Sequence, residues 1–470
     1  MTTVTIEQAL AQAIEHQKAG RSAEAEAVYR AVLAVQPHNP TGCHNLGLIL
    51  LNRREPDAAI ALIRTAIASN PQVAAFHNTL GSALKARGRL ADALAAYDEA
   101  LRCDPADAIA HSNRGIALNL LARSAEAEAA FREAIGARPA YDAGWCNLGG
   151  VLAKQERHME ALVAFREAIR LNPGNLEAHF GAASTLLKTG GLQEASAIAD
   201  GLATAAGHPA FPRVRFASLL AGCGRRGEAK SLLLNCLETD PSDAAGASLA
   251  MASLGLEATP ERASDAMMAR LYAERARYWD AASEGYRAAE LVARALIAHT
   301  PSGGVILDAG CGTGLAGPLL RHCAERLEGV DLSGAMLAEA SAKKVYDALF
   351  EAELTAFLRA RPEGYRSISC AATLLHFGNL EPPLTAACGA LQPGGAIALT
   401  VLPHQVDMHG YAADPENPQG GIFRHGANYL RGASEAAGFD VISLTEEVHE
   451  HTDGKPVTGL LAVLRRPAVA

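Results

Sequence analysis

The run VILDAGCGTG, Val305 to Gly314, holds the residue types of a ligand cradle at the end of a strand. The small and apolar residues Gly304 to Leu307 read as a buried strand, and Asp308 ends it. Gly310, Gly312 and Gly314 let the backbone turn tightly and approach a ligand where a Cβ would clash. Seventeen residues after Gly314, a second strand-like run, RLEGVD, ends at Asp331. A carboxylate there can accept hydrogen bonds from two ribose hydroxyls. Together the two runs describe a nucleoside site in a doubly wound α/β domain. The glycines follow G-x-G-x-G, whereas pyrophosphate-binding loops follow G-x-G-x-x-G, and Leu315 stands where their third glycine falls. Asp308 would repel a diphosphate but suits a ligand bearing an ammonium group. Cys311, inside the loop, reads as a small residue and not as a nucleophile.

On these residues the chain resembles the class I S-adenosylmethionine (SAM)-dependent methyltransferases, whose first motif is an acid followed by three alternating glycines. The resemblance covers about 263–470. It implies SAM as cofactor, with Asp308 and the glycines at its amino acid end and Asp331 at its ribose. It also implies that Leu332 and Met336 flank the adenine, and that Glu353, with backbone amides near Leu354, reads the adenine amino group. SGAMLAEASAK (333–343) reads as a helix with a serine N-cap. ALFEAELTAFL (348–358) reads as a third strand with Glu353 near its end, and YRSISCAATLLHF (365–377) as a fourth strand and its loop. LQPGGAIALTVL (391–402) places a Pro-Gly-Gly turn before a fifth strand. NYLRGASEAAGF (428–439) is a helix with a glycine stop, and VISLTEEV and GLLAVLRR close the chain as a hairpin. The implied architecture is Rossmann-like, with a mostly parallel seven-stranded sheet.

The first half is periodic. Prolines at 37, 71, 105, 139 and 173 are 34 residues apart, the period of tetratricopeptide (TPR) helix pairs. Small residues recur at Gly47, Gly81, Gly115 and Gly149, and at Ala59, Ala93, Ala127 and Ala161. Bulky ones recur at Ile63, Tyr97, Phe131 and Phe165, each followed by Ala66, Ala100, Ala134 or Ala168. About seven units fit residues 6–243, an α-solenoid whose concave side suits a protein or peptide partner. Asn45, Asn78, Asn113 and Asn147, with His44, His77, His111 and Trp145, are the expected groove residues. Residues 244–262 read as a linker to the methyltransferase-like region, 263–470.

LYAERARYWD and GYRAAELVARAL resemble the lead-in helices of methyltransferases fused to TPR arrays, which makes Tyr272 and Tyr278 candidates to line the site. Methyl transfer from a sulfonium needs alignment above all. A base is required only when the acceptor must lose a proton. His376, just past the fourth strand, is the candidate base for a hydroxyl acceptor. The segment 402–427 holds His404, Asp407, His409, Tyr411, Asp414, Arg424 and His425. Their spacing matches no metal motif, so the segment reads as a solvated, flexible substrate loop without a metal. FRHGANYL (423–430) resembles an element of TPR-fused methyltransferases, which makes Arg424, His425 and Tyr429 substrate-side candidates. Arg366 and Ala372 depart from that family's pattern, which has an acid near the end of strand four. The Asn/Asp-Pro-Pro-aromatic tetrad of amino-group methyltransferases of DNA and glutamine is absent.

A net charge of −9 argues against a general phosphate-backbone binder, so no nucleic acid partner is expected. No run is apolar enough to span a membrane, and nine scattered cysteines without an export signal suggest a cytoplasmic protein. The reading is a SAM-dependent methyltransferase whose TPR array recruits a protein substrate or partner. The alternatives are a TPR scaffold with a relic SAM-binding domain, or a small-molecule methyltransferase localised by its repeats.

Overall fold

The structure, a computed structural model, describes residues 5–53, 55–208, 211–282, 285–404, 410–414, 421–452 and 455–468. Asp407 and His409 lie outside the described residues, as does the side chain of Tyr278. The chain divides into two compact units, Met1–Leu202 and Ala203–Ala470.

The first unit is a series of antiparallel helix pairs. They are Ile6–Lys18 with Ser22–Val35, Pro40–Asn52 with Pro56–Ser69, Ala74–Ala86 with Leu90–Cys103, Ala108–Leu120 with Ser124–Ala137, Asp142–Lys154 with His158–Leu171, and Leu176–Lys188 with Leu192–Ala203. Small residues at fixed positions let the helices meet, and the eight periodic alanines, Ala59 to Ala168, are all fully buried. Large rings fill the gaps. A Cβ on Gly81 would stand 2.5 Å from Tyr97 Cε1. The Phe165 ring is wedged between Gly149 and Gly181, whose Cβ atoms would lie 2.8 and 2.5 Å from it.

The repeating proline does more than end a helix. The Pro71 carbonyl accepts from His77 Nε2 at 2.8 Å, and those of Pro105, Pro139 and Pro173 accept at 2.9 Å from His111 Nε2, Trp145 Nε1 and His179 Nε2. Cys43 Sγ makes the equivalent contact to Pro37 O at 3.6 Å. This corrects the groove reading of His77, His111 and Trp145, because their ring N–H groups tie each turn to the next helix. His44 Nε2 lies 2.9 Å from Thr79 Oγ1 in the next repeat. Asn113 Nδ2 donates to Asn78 Oδ1 at 2.9 Å and Asn147 Nδ2 to Ser112 Oγ at 3.4 Å, linking first helices one repeat apart.

The second unit begins with a seventh pair, Arg213–Gly222 and Arg226–Thr239. Within 244–262, the stretch read as a linker, Ala247–Ser253 is a helix with Ala247, Leu249, Ala250 and Met251 buried. Asp243 holds it, accepting from Ala247 N at 2.5 Å, while its own carbonyl accepts from Ser264 Oγ at 2.8 Å. Leu249 joins Ala263, Met267, Met268 and Phe423 in one buried cluster. The seventh pair and the helix after it are therefore part of this unit's packing.

The sheet has strands β1 (Val305–Ala309), β2 (Arg326–Asp331), β3 (Ala348–Glu351), β4 (Tyr365–Cys370), β5 (Leu391–Pro403), β6 (Tyr411–Ala413), β7 (Phe423–His425), β8 (Asp440–Thr452) and β9 (Lys455–Arg465). β3, β2, β1, β4 and β5 lie side by side in parallel. β9 adds antiparallel to β5, and β8 antiparallel to β9. Those seven strands match the expected number, but the full sheet has nine. Among the described residues of 402–427, the two extra strands correct the flexible-loop reading: β7 runs parallel to the end of β5, and β6 pairs back on β7. Three-residue strands carry too few residues to show a period of two.

The third strand is also shorter than the sequence suggests. It stops at Glu351, and Leu354–Arg359 is a helix. The buried parallel core (in β1 Val305 is half-buried and Ile306–Ala309 are buried) leaves its carboxyl ends to form a site. Sequence order reverses between β1 and β4, the switch point where such sheets bind ligands. Among the described residues no helix is long and apolar enough to cross a membrane.

Candidate active site

A cavity of about 380 Å³ opens at this switch point. Asp308, Gly310, Gly312, Asp331, Leu332, Met336, Glu353 and Leu354 all line it. The glycine loop leaves β1 with φ of +68° at Gly310 and +54° at Gly312, a left-handed backbone that disfavours residues with a Cβ. A Cβ on Gly310 would also overlap Thr373 Oγ1. Thr373 donates to Ala309 O at 3.1 Å, pinning the loop after β4 to the end of β1. Around Gly312 there is open space, so the loop's backbone is bare there. Gly314 is constrained from the other side, since its Cβ would meet Tyr346 Cε2 at 2.8 Å. Its smallness serves packing, and it is not on the cavity wall.

Asp331 closes the loop onto β2. Its Oδ2 accepts from Gly312 N at 2.9 Å and its Oδ1 from Ser333 N at 2.8 Å. A carboxylate oxygen has two acceptor sites, so each oxygen keeps capacity for a ribose hydroxyl. Burial raises the Asp331 carboxyl above the ordinary range, against the pull of those N–H groups. Asp308 is 2% exposed and accepts from Tyr346 Oη at 2.7 Å. Burial pushes it up to about 6, the Tyr346 bond opposing and Asp331 adding. Cys311 is buried and its thiol is held well above its ordinary value, which makes thiolate chemistry there unfavourable.

Glu353 lines the cavity but is already engaged. It caps the helix Leu354–Arg359, accepting from Thr355 N at 2.9 Å and Ala356 N at 2.7 Å. Arg262 Nη1 lies 2.9 Å from its Oε1. Burial alone would raise this carboxyl, but the two amides and Arg262 outweigh it and hold it below its ordinary value. Its remaining lone pairs are what it can offer a base edge.

Met268, Tyr272, Arg275, Leu375, His376 and Phe377 also line the cavity. Tyr272 Oη lies 2.5 Å from His376 Nε2, and His376 Nδ1 lies 2.7 Å from Gly421 O. A carbonyl only accepts, so Nδ1 carries the ring proton and Nε2 accepts the Tyr272 hydroxyl. Burial, aided by Arg275 and opposed by the Gly421 bond, holds this imidazole down to about 4. A neutral imidazole with its lone pair already occupied is a weak base; its contribution is to orient Tyr272. Ala372, where the family pattern has an acid, lines the cavity at φ +52°, a strained setting for a non-glycine residue. Its N–H donates to Thr400 Oγ1 at 2.9 Å.

The structure does not bring His425 and Arg424 to the cavity wall. His425 is fully buried in β7, its Nε2 donates to Phe377 O at 2.7 Å, and its ring stacks on Tyr429 at 6.1 Å. Tyr429 Oη in turn accepts from Leu380 N at 2.9 Å. Arg424 Nε faces Asp414 Oδ1 at 3.2 Å, fastening β7 to the end of β6. His425 and Tyr429 thus hold the backbone at Phe377 and Leu380, just after His376. Among the described residues no group of three or more His, Cys, Asp or Glu is placed to hold a metal ion.

Arg262, Trp279, Tyr286, His449 and Glu450 line the cavity and escape the sequence reading. Trp279 lies in the YWD stretch and its ring meets that of Tyr286, which follows it. His449 and Glu450 sit in a strand with no motif at all.

Comparison with known proteins agrees with this anatomy. Tetratricopeptide repeat models match residues 10–74, 44–108 and 78–142, and a further one matches 143–175. A methyltransferase domain model matches residues 275–444. The chain thus joins a TPR array to a class I methyltransferase domain. No curated protein matches it. Among solved structures it is similar to a thermophilic TPR protein of Thermus thermophilus (23% identity over 39% of this chain and 100% of that one, TM-score 0.35). It is also similar to PilF of Pseudomonas aeruginosa (24% identity, 44% of this chain and 94% of that one, TM-score 0.39). A third similarity is to a structure described for conversion of a disulfide bond into a thioacetal group during echinomycin biosynthesis (20% identity, 40% and 84%, TM-score 0.31).

Proposed function

We propose that this protein is a SAM-dependent methyltransferase whose TPR array recruits a protein substrate or partner. The observation that carries the reading is the cradle of Asp308, Gly312 and Asp331 on one cavity at the switch point. The residues fit the cofactor: Asp308 for its ammonium, Asp331 for its ribose, and Leu332, Met336 and Leu354 with Glu353 around its adenine. When bound, SAM supplies a methyl group on a sulfonium, with no phosphate for Asp308 to repel. The chain's own part is positioning and exclusion of water. Tyr272, held by His376, offers a fixed hydroxyl at the acceptor end. His376 is therefore a positioning residue in this proposal, and His425 and Arg424 support the wall. The functional division follows 6–243 for recruitment and 263–470 for chemistry, in a cytoplasmic setting suited to nine free thiols.

A small-molecule acceptor is the second reading, favoured by the apolar acceptor end of the cavity, with Met268, Leu375 and Phe377 on its wall. The fragment 203–470 separates the two, because it keeps the seventh helix pair that packs within the unit. Full methyl transfer to the acceptor by this fragment supports a small molecule. Loss of transfer with retained SAM binding supports recruitment.

The raised carboxyl of Asp308 sets a pH dependence. Below about 6 it gains a proton and its attraction for an ammonium is lost. SAM affinity is expected to fall about tenfold between pH 7.5 and 5, one charge-assisted hydrogen bond being worth about 1.5–3 kcal/mol. Its folded value lies above the ordinary 3.8. This group therefore opposes folding above about 6 and opposes it less as pH falls, so the lost affinity is not unfolding driven by Asp308. Calorimetric titrations across that range check it: Asp308→Asn is expected to bind weakly at every pH, and a wild-type affinity that stays flat contradicts the assignment.

A further inference from the structure

We propose that Glu450 and His449 form the head-group subsite for the methyl acceptor, and that this head group is an ammonium nitrogen. The inference rests on the methyltransferase reading and names the acceptor class for it.

The geometry begins with a bulge. In the β8–β9 pair Val448 faces Thr458 and Glu450 faces Val457, so His449 is an extra residue on β8. Neighbours on a regular strand point to opposite faces. The bulge breaks that alternation, and both His449 and Glu450 line the cavity. His449 is 4% exposed and its Nε2 is buried without a hydrogen-bond partner among the described residues. Its ring packs against Gly459, where any Cβ would overlap it. A buried, unpaired ring nitrogen on a cavity wall is costly unless a ligand meets it.

The charges select the ligand. Asp308 is bonded by Tyr346, Asp331 by two backbone amides, and Glu353 by its helix cap and Arg262. Glu450 alone of the cavity's glutamates has no hydrogen bond or ion pair among the described residues, and burial raises its carboxyl above the ordinary range. A cation relieves that burial; a carboxylate would be repelled, and a neutral hydroxyl would leave the charge uncompensated. Burial above all raises the Tyr286 phenol, and Glu450 and Asp308 stand close enough for their charges to add to it. The Tyr286 ring meets Trp279 edge to face at 6.3 Å, so aromatic faces that attract cations share this wall. His449 is held neutral, down to about 4, by burial and adds no repulsion. The two arginines on the cavity are engaged elsewhere: Arg262 pairs with Asp265 and Glu353, and Arg275 acts on Tyr272 and His376. Glu450 also gives the leaving proton a destination: an ammonium must pass a proton to a carboxylate before its nitrogen has a lone pair to use.

The test uses the full chain saturated with S-adenosylhomocysteine and titrated with phenethylamine, 2-phenylethanol and 3-phenylpropionate, which share a shape and differ in charge. The amine is expected to bind at least tenfold more tightly than the other two. Glu450→Gln, a near-isosteric change, is expected to erase that preference while S-adenosylhomocysteine affinity stays within about twofold. Gly459→Ala, which pushes the His449 ring aside, should weaken amine binding in the same way. Equal affinities, or a preference for the acid or alcohol, overturn the proposal. So does a Glu450→Gln variant that loses S-adenosylhomocysteine, for then Glu450 serves the cofactor's own ammonium. Failure of the wild type to take up S-adenosylhomocysteine would instead overturn the cofactor reading beneath it, and thermal melts of each variant keep misfolding apart from both.

Discussion

Asp331→Ala is expected to weaken SAM binding at least tenfold and to leave the fold standing. The carboxylate accepts the Gly312 and Ser333 amides and keeps capacity for two ribose hydroxyls. Losing hydrogen bonds to a charged acceptor costs about 1.5–3 kcal/mol, which is a tenfold to hundredfold change in affinity. The substitution also frees the Gly312 amide, so the loop loses one of its ties to β2 and the effect falls toward the upper end. Asp331 is half-buried at the cavity and lies outside the hydrophobic core, so its removal relieves a carboxyl that burial already penalises. Far-ultraviolet circular dichroism should therefore be unchanged. Asp331→Asn is expected to be intermediate, since an amide has one acceptor oxygen where the carboxylate has two. Unchanged affinity in a folded Asp331→Ala protein contradicts the ribose assignment.

Phe165→Ala is expected to destabilise the first unit by about 3–5 kcal/mol, the cost of deleting a buried aromatic ring. The ring fills the space between Gly149 in its own repeat and Gly181 in the next. Neither glycine has a side chain to move into the hole, and the flanking Ala161 and Ala168 are too short to reach it. Because stacked repeats are stabilised chiefly by their neighbours, the damage should split the unit's unfolding into two transitions at this interface. A denaturant titration followed by circular dichroism reads both the loss and the split. A single transition at the wild-type midpoint would mean that the ring does not hold the repeats together. SAM affinity is expected to be unaffected, as the ring and the cavity belong to different compact units.

How much of this was legible in the sequence depended on whether a residue's role has a period or a spacing. The 34-residue proline period gave the helix pairs, because the same glycine, alanine and ring positions recur in each. The cofactor loop was legible from Asp308, the glycines and Asp331, since a tight turn after a buried strand demands those types. The ring ties to proline were also present as a signal: His77, His111, Trp145 and His179 each stand six residues after a proline. His77, His111 and Trp145 read as groove residues from sequence because a donor's direction is not encoded in its position along a helix.

Glu353 reads as strand because it continues the run ALFEAEL, whereas its capping bonds to Thr355 and Ala356 start a helix at the very next residue, Leu354. From its neighbours in sequence His425 reads as a substrate contact. The two short strands around it turn its ring inward against Phe377 and Tyr429. His449 and Glu450 had no legible signal, because a bulge depends on the register of β8 against β9 and leaves no mark in composition.

The most direct test of the account is a calorimetric titration of the full-length protein with SAM and with S-adenosylhomocysteine. One site per chain with micromolar affinity for at least one of them is expected, weakened in Asp331→Ala. A folded protein that takes up neither contradicts it and leaves a TPR array joined to a domain with a methyltransferase's shape and no cofactor.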